Sequence, residues 1–222
     1  LLFYIARNKG IKRIRYTTSH PNNFDEQTYL AYEKLPQLVS HLHLPIQSGS
    51  DRILAAMKRG YTVLEYKSVI RKLKKARPSM TFSSDFIVGF PGETEEDFMK
   101  TIELIKEVEF DQSYSFIYSK RPGTPAASLH DEVSDSEKKV RLKFLQETIN
   151  TLSKSRSKSI VGENVEILVE GKSSKYNDMV TGRTTNNKII NIPGKDNLVG
   201  ELLNVQVTEL NNKSLKGEIL IT

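Results

Sequence analysis

Cysteine is absent from this sequence of 222 residues. Disulfide bonds are therefore excluded, and no thiolate metal site or cysteine nucleophile can be built from the chain's own side chains. Long apolar runs are also absent, since none approaches the roughly 20 residues that a membrane-spanning helix needs. The first residues, LLFYIARNKG, lack the charged region, apolar stretch and cleavage site of a secretion signal. We therefore expect a globular, cytoplasmic protein.

The charge balance is moderately basic, with a formal net charge of +6 and a pI of about 9.3. Basic surfaces attract phosphate backbones and release their counterions, so this balance favours a polyanionic partner. The excess is spread along the chain and forms no concentrated basic tail. Charge therefore permits nucleic-acid binding without establishing it.

Up to about residue 158, short β-like runs alternate with amphipathic helical stretches, a pattern typical of parallel β/α units. The predicted helices cover residues 62–76, which open on the capping box Thr62-x-x-Glu65, residues 94–108, and a stretch from Ser134 that dissolves over residues 153–159. Four units are too few to close an eight-fold barrel, so we expect a missing upstream part. The predicted strands are Lys12–Thr17, His41–Ile46, Thr81–Val88 and Ser113–Tyr118.

From about Val161 the pattern changes to short β-rich segments separated by Gly, Asn and Lys turns. The segments read NVEILVE, MVTGRTT, KIINIPG, LNVQVTEL and SLKGEILI. Five short strands favour a small closed barrel, which hides the edges that an open sheet would expose. We place the domain boundary so that residues 1–157 form the first domain and residues 158–222 the second.

The stretch HLHLPIQSGSD, residues 41–51, runs from an apolar strand into a polar turn that contains glycine. Such turns present backbone N–H groups and hydroxyls at the C-terminal edge of a parallel sheet, where these folds bind ligands. A plain strand-to-helix turn capped by Ser50 or Asp51 explains the same residues. His41 and His43 lie on one side of this strand, but their spacing does not match a metal site, and we predict none.

The stretch SDFIVGFPGETEED, residues 84–97, ends a buried strand at a proline–glycine turn and opens an acidic helix. Gly89 and Gly92 would let a flat ligand press against the backbone, while Ile87 offers apolar contact and Glu93 accepts hydrogen bonds. Acidic residues at the helix start repel phosphate, so a neutral or cationic ligand such as an adenosyl sulfonium suits this turn better. Turn chemistry and helix capping alone are an equally good explanation.

Basic residues occur at two further places. Lys120 and Arg121 follow the last predicted strand of the α/β region and could hold a phosphate or a carboxylate, or could be solvated loop residues. In the small barrel, Arg183 and Lys188 flank an Asn-Asn turn, and together with Lys172 they could form a phosphate-binding face. An ordinary hairpin with a solvated tip explains that turn equally well.

Taken in order, these motifs resemble one family over essentially the whole chain. IRYTTSHP, LVSHLHLPIQSGSDRIL, SSDFIVGFPGETEEDF, FDQSYSFIYSKRPGTPAA, and VGENVEILVEG with GRTTNNKIIN are similar to the MiaB-type tRNA methylthiotransferases, which are radical S-adenosylmethionine (SAM) enzymes. YTTSHP and HLHLPIQSGS favour this branch. Two related branches, which act on threonylcarbamoyl-adenosine or on ribosomal protein S12, share the GFPGE turn and the TRAM domain.

The resemblance implies an α/β fold: the C-terminal part of a partial (βα)6 radical-SAM TIM-like barrel, followed by a small all-β, OB-like TRAM barrel that binds RNA. It implies addition of a methylthio group to C2 of N6-isopentenyladenosine beside the anticodon. One SAM supplies the methyl group and another a 5′-deoxyadenosyl radical. The implied partner is the tRNA anticodon stem-loop, and we expect a cytoplasmic monomer with no membrane partner.

The same resemblance implies the site residues. Gln47 and Ser48 match the strand-end motif that lines the SAM site, and Ile87, Gly89 and Glu93 match the turn that packs on the adenosyl group. The implied RNA contacts are Lys120, Arg121, Lys172, Arg183 and Lys188.

The family holds one [4Fe-4S] cluster by C-x-x-x-C-x-x-C and a second by three cysteines of an N-terminal domain, and this sequence has neither set. Because such clusters need thiolate ligands, we expect the chain to be inactive as an enzyme by itself. Two alternatives stay open. One is a non-catalytic RNA-binding module whose α/β half is a scaffold, and the weaker one is a barrel enzyme that uses a phosphorylated metabolite.

Overall fold

A computed structural model describes residues 1–17, 20–131 and 133–220, so Thr18 and Ser19 of the YTTSHP motif lie outside it. No helix in these ranges is long and apolar enough to cross a bilayer. The helices are α1 (Leu2–Ala6), α2 (Glu26–Lys34), α3 (Asp51–Ala56), α4 (Val63–Ala76), α5 (Glu95–Val108) and α6 (Asp135–Ser159), with short 3₁₀ turns at Pro21–Asn23, Pro125–Ser128 and Asp196–Leu198. The strands are β1 (His41–His43), β2 (Thr81–Val88), β3 (Gln112–Ile117), β4 (Asn164–Lys172), β5 (Met179–Thr184), β6 (Ile189–Pro193), β7 (Leu202–Asn211) and β8 (Ser214–Ile219).

The chain divides into two compact units. The sheet unit consists of Thr17–Leu30 and Leu42–Ser153, and the barrel unit consists of Leu1–Tyr16, Ala31–His41 and Lys154–Thr222. Two N-terminal segments therefore pack with the C-terminal strands. The boundary between residues 157 and 158 remains a prediction about sequence domains.

A parallel sheet in the order β1-β2-β3 forms the centre of the sheet unit. Strand β2 occupies the predicted residues, and β3 begins one residue earlier than predicted. The first of the three strands ends at His43, three residues before its predicted end, although the Leu44 N–H still donates to the Ser83 carbonyl at 2.8 Å. Pro45 follows and has no N–H to continue the ladder, which explains the early end.

Helices cover one face of this sheet. On β2, Phe86 is fully buried and meets Phe110 edge to face at 5.3 Å, and Tyr66 of α4 donates its hydroxyl to the Leu44 carbonyl at 2.8 Å. The predicted Thr62–Glu65 capping box opens α4, and Thr62 and Glu65 exchange both of its hydrogen bonds. The predictions of α4 and α5 are therefore confirmed, although each helix begins one residue later than predicted, because the first predicted residue is its N-cap.

The five C-terminal strands form a closed barrel, as the sequence predicts, and the structure gives their order as β4-β5-β6-β8-β7. Alternate residues of each strand point inward, so the apolar positions of the five segments meet in one core. Neighbouring strands pair antiparallel except β6 and β8, which pair in parallel at Ile190–Leu215. The buried core consists of Ile167, Val169, Val180, Ile190, Ile192, Val205, Val207 and Leu215.

Two predictions of secondary structure are wrong. No strand spans Lys12–Thr17 in the part of the chain that is described there; only an isolated bridge joins Ile14 to Leu38. The third helix does not dissolve at residue 153 but continues to Ser159. Lys and Arg are good helix formers and offset the modest cost of the intervening serines, and Arg156 and Lys158 suit the negative end of the helix dipole.

Adjacent isoleucines on β6 test the inward alternation of the barrel. Ile190 is fully buried, whereas Ile189 is 36% exposed. We expect Ile190→Ala to lower the free energy of unfolding by about 2–5 kcal/mol, because it leaves a cavity in the core, and Ile189→Ala to lower it by less than about 1 kcal/mol. Urea titration followed by circular dichroism measures both. Equal losses would contradict this packing.

Candidate functional site

The second face of the parallel sheet is open. In the β2–β3 register, Asp85 lies opposite Tyr114 and Ile87 lies opposite Phe116, and such partners project to the same face. Tyr114 is 61% exposed and Phe116 is 55% exposed, so β3 presents two large aromatic side chains to solvent on this face. We define the open face as His43, Ser83, Asp85, Ile87, Tyr114 and Phe116.

His43 organises the polar corner of the open face. Its Nδ1 lies 2.9 Å from the Ser83 hydroxyl, its Nε2 lies 3.3 Å from a carboxylate oxygen of Asp85, and its ring meets Tyr114 edge to face at 5.7 Å. Both ring nitrogens therefore have polar partners, which fixes the imidazole. The Asp85 carboxylate is oriented as a result, and it stays partly exposed.

Gln47 and Ile87, two of the predicted cofactor residues, are brought together at the edge of this face. Gln47 donates its N–H to the Asp85 carbonyl, and its own carbonyl accepts from the Ile87 N–H, each at 2.9 Å. The φ angle of Gln47 is +82°, an unusual value for a residue other than glycine. Backbone strain of this kind clusters at ligand sites, so the angle agrees with a functional role here.

Ser48, also predicted to line the SAM site, faces away from solvent. It is fully buried, its hydroxyl lies 3.4 Å from that of Thr101 on α5, and it accepts from the Ser50 N–H at 3.2 Å. These contacts fix the turn after β1 against α5. A direct contact of Ser48 with a cofactor stays a prediction, and its burial weighs against it.

The turn after β2 is closed by its own neighbours. Gly89 has a φ of +67°, and its N–H donates to Glu93 Oε2 at 2.7 Å. A Cβ at Gly89 would lie 2.4 Å from Cγ of Lys138, so the Lys138 side chain occupies the space that the sequence analysis gave to a flat ligand. The cofactor role of Gly89 therefore stays a prediction, and binding there would require Lys138 to move.

Glu93 is committed to α6. Arg141 donates to its carboxylate at 2.9 Å and to its backbone carbonyl at 3.1 Å, and both side chains are at least 95% buried. Burial raises the pKa of Glu93, and the hydrogen bonds from Gly89 and Arg141 oppose that rise without cancelling it. Glu93 therefore joins the turn to α6, and its predicted contact with a cofactor remains untested.

Asp97 links the two turns from behind. It forms a capping box with Thr94, accepts from the Ser50 hydroxyl at 2.6 Å and pairs with Arg52. Burial raises the pKa of Asp97, but the hydrogen bonds from Arg52, Ser50 and Thr94 outweigh it and hold that pKa well below its ordinary value. Because Asp97 is buried and paired, the start of α5 presents less negative charge to solvent than the sequence alone indicates.

The predicted RNA contacts are dispersed. Lys120 and Arg121 are exposed in the loop after β3, and Lys172 is exposed and paired with Asp196 at 2.9 Å. Arg183 pairs with Glu170 at 3.0 Å. Lys188 is only 7% exposed, so the structure does not place it on a shared basic face with Arg183. Its role in RNA binding stays a prediction that its burial weighs against.

Sequence reasoning missed four residues of the open face, namely Ser83, Asp85, Tyr114 and Phe116. In the structure Ser83, Asp85 and Tyr114 contact His43, and the register places Phe116 opposite Ile87. A signal was present, because exposed and half-buried residues alternate along Gln112-Ser-Tyr-Ser-Phe-Ile117, and two of the three exposed residues, Tyr114 and Phe116, are aromatic. Parallel sheets are usually covered on both faces, so exposed aromatic residues at alternate positions indicate a face that binds a ligand or packs against another element.

The residues can be compared with the two groups that the fold implies. An iron–sulfur cluster does not fit, because the chain has no cysteine and its described residues contain no group of three or more potential metal ligands. A nucleoside fits better. The open face combines two exposed aromatic rings, the apolar Ile87 and an oriented carboxylate, which are the contacts that an adenosyl group or an adenine base requires.

Asp97→Asn tests the network behind the turns. We expect it to lower the free energy of unfolding by about 1–3 kcal/mol at pH 7, because the buried hydrogen bonds lose their charged acceptor. A lowered pKa stabilises the fold above the unfolded value of about 3.9, so the difference from the parent chain should shrink as the pH falls below about 4. Chemical denaturation at pH 7 and pH 3 measures this.

Glu96→Gln is the matched control, since Glu96 lies in the same helical turn with an exposed side chain. We expect its effect to stay within about 0.5 kcal/mol at both pH values. Similar losses for the two variants, or a loss for Asp97→Asn that does not change with pH, would contradict the assigned network.

Two family models match the chain: the Radical SAM superfamily over residues 1–105 and the TRAM domain over residues 158–220. Among solved structures, it resembles coproporphyrinogen III oxidase from Escherichia coli, described as a radical SAM enzyme, with a TM-score of 0.50 over 88% of this chain and 49% of that one. The two are 11% identical, so this likeness concerns the fold alone.

Three similar sequences carry the name tRNA-2-methylthio-N(6)-dimethylallyladenosine synthase. The chain is 54% identical to that of Bordetella pertussis over 99% of its own length and 49% of the relative, and 54% identical to that of Delftia acidovorans over 100% and 50%. That of Francisella tularensis subsp. novicida is 53% identical over 99% and 50%. The chain spans about half the length of these curated relatives. Along its whole length it is similar to the radical SAM tRNA methylthiotransferases, so the resemblance predicted from its sequence motifs is confirmed.

Proposed function

We propose that this chain forms the part of a radical SAM tRNA methylthiotransferase that binds the adenosyl group and the RNA. The proposed reaction adds a methylthio group to C2 of N6-isopentenyladenosine next to the anticodon. One observation carries the proposal: a chain 54% identical along its length to synthases of that name keeps an open, aromatic face on its parallel sheet.

The open face has a chemical role in this proposal. Tyr114 and Phe116 offer flat apolar surface on which an adenine ring can stack, and Ile87 extends that surface. The Asp85 carboxylate, held by His43, attracts a sulfonium or accepts from ribose hydroxyls. SAM, when bound there, would supply the methyl group in one step and the 5′-deoxyadenosyl radical, from a second SAM, in another.

The side chains of this chain determine which steps of the proposed reaction it can perform. No thiolate exists in this chain to hold a cluster, so reductive cleavage of SAM needs ligands from outside it. By itself the chain is expected to bind its ligands without turnover. In the same proposal the partner is the anticodon stem-loop of tRNA, and the protein works in the cytoplasm as a monomer.

A hybrid protein tests the function directly. This chain replaces the matching half of the Bordetella pertussis relative, the clusters are reconstituted, and tRNA that carries N6-isopentenyladenosine is analysed by mass spectrometry. We expect the methylthio product from the hybrid and none from the chain alone. A hybrid with both clusters that binds the tRNA but forms no product would favour the alternative, an RNA-binding module whose sheet is only a scaffold.

Phe116→Ala in the same hybrid tests the open face. We expect kcat/KM for SAM to fall about three- to tenfold, because one stacking ring is lost from an exposed position that the fold does not need. Leu64→Ala is the control, since Leu64 is 67% exposed on α4, away from the open face. Equal kcat/KM values for the two variants would show that the face does not bind the adenosyl group.

A further inference from the structure

A small basic cavity lies in the barrel unit. Its volume is about 130 Å³, and Arg13, Arg15 and Val39 line it together with residues of β4, β5 and the β5–β6 turn. Three arginines line the cavity. Arg13 and Arg15 lie within the stretch that matches the radical SAM model, whereas Arg183 of β5 lies within the TRAM match. The cavity thus joins two parts of the chain that sequence reasoning treated separately.

The burial of Ile14 explains why Arg13 and Arg15 both line the cavity. Ile14 between them is 7% exposed and forms a bridge with Leu38, its N–H donating to the Gln37 carbonyl at 2.7 Å. Because side chains alternate along an extended backbone, burial of Ile14 on one side turns both arginines to the other. They consequently project from one short segment toward the barrel.

Hydrogen bonds hold two of the guanidinium groups in place. Arg13, whose side chain is 9% exposed, donates to the Arg183 carbonyl at 2.6 Å and to Glu166 at 3.0 Å. Arg183 donates to Glu170 at 3.0 Å and to the Asn187 side chain at 2.9 Å. Neither side chain therefore needs ordering when a ligand arrives, which lowers the entropic cost of binding.

The charge of the walls selects an anion. Among the described residues that line the cavity, three are arginines and one is a glutamate, and Glu166, which pairs with Arg13, leaves these five side chains with a formal excess of one positive charge. Thr185 adds a hydroxyl. Fork-shaped arginine donors and a hydroxyl are the groups that recognise phosphate oxygens.

The size of the cavity favours a small ligand group. Sites for drug-sized molecules and cofactors measure about 300–1,000 Å³, well above the 130 Å³ found here. That volume suits one phosphate group better than a whole nucleoside or SAM molecule. The chain of an RNA can pass over such a cavity and place a single phosphate in it.

We propose that the Arg13–Arg15–Arg183 cavity binds one phosphodiester of the RNA backbone. Arg15, which is exposed, closes over the phosphate, while Arg13 and Arg183 form the fixed wall. The site positions RNA without reading its bases, because phosphate contacts carry no direct sequence information. This inference deepens the proposed function, since it identifies where the RNA partner is held.

Arg15→Ala in the full chain is the test. The probe is an anticodon stem-loop RNA, and its dissociation constant is measured from about 50 to 300 mM salt. We expect Arg15→Ala to weaken binding about five- to tenfold at the low-salt end and to reduce the slope of log K against log salt by about one, the signature of one lost phosphate contact. Arg15→Lys keeps the charge and should keep most of the slope.

Lys12→Ala is the matched control. Lys12 lies three residues from Arg15, loses the same charge when replaced, and pairs outside the cavity with Glu201 at 2.9 Å. We expect its slope to stay near that of the parent chain. An equal change for Lys12→Ala and Arg15→Ala, or no change for Arg15→Ala in a variant with the parent's thermal unfolding midpoint, would overturn the proposal.

Inorganic phosphate distinguishes the sources of the anion. If phosphate at millimolar concentration raises the thermal midpoint of the parent but not of Arg15→Ala, while RNA affinity is the same for both, the cavity binds a free anion and the RNA proposal fails. The test is also independent of the proposed function. A hybrid that forms methylthio product with an unchanged Arg15→Ala slope would refute the cavity alone, and an Arg15-dependent slope in an inactive hybrid would refute the function alone.

Discussion

The parallel register between β2 and β3 is the constraint on which the rest of the sheet unit depends. By pairing Asp85 with Tyr114 and Ile87 with Phe116, it sends one set of side chains to the helices and the other to the open face. Helices α4 and α5 bury the first set, which fixes the register, because a slip of one residue would expose Phe86 and bury Asp85. The aromatic open face is therefore a direct result of how the helix-facing side is packed.

Two buried carboxylates hold the turns that follow β1 and β2. Asp97 ties Ser50 and Arg52 of the first turn to the start of α5, and Glu93 ties the second turn to Arg141 of α6. Glu93, which the motifs indicated as a ligand contact, therefore stabilises the turn. Gln47, whose φ of +82° is strained, lies three residues before Ser50, whose hydroxyl Asp97 holds.

Local patterns in the sequence predicted the local features of the structure. The Thr62–Glu65 capping box, strand Thr81–Val88 and the five barrel strands are confirmed, because each depends on neighbours within a few residues. The packing of Leu1–Tyr16 with the barrel strands was not predicted, since that grouping depends on contacts more than 100 residues apart in sequence. The burial of Lys188 and the position of Lys138 over Gly89 were also missed, because tertiary packing sets both and local sequence patterns do not show it.

Hydrogen–deuterium exchange on the cluster-loaded hybrid shows whether the open face receives the adenosyl group. With SAM added, we expect slower exchange in peptides that cover residues 85–88 and 112–117, with no change in the barrel strands β4 to β8. Protection confined to residues 89–93, with none on β3, would contradict it. That result would return the adenosyl group to the glycine turn and leave Tyr114 and Phe116 without a part in binding it.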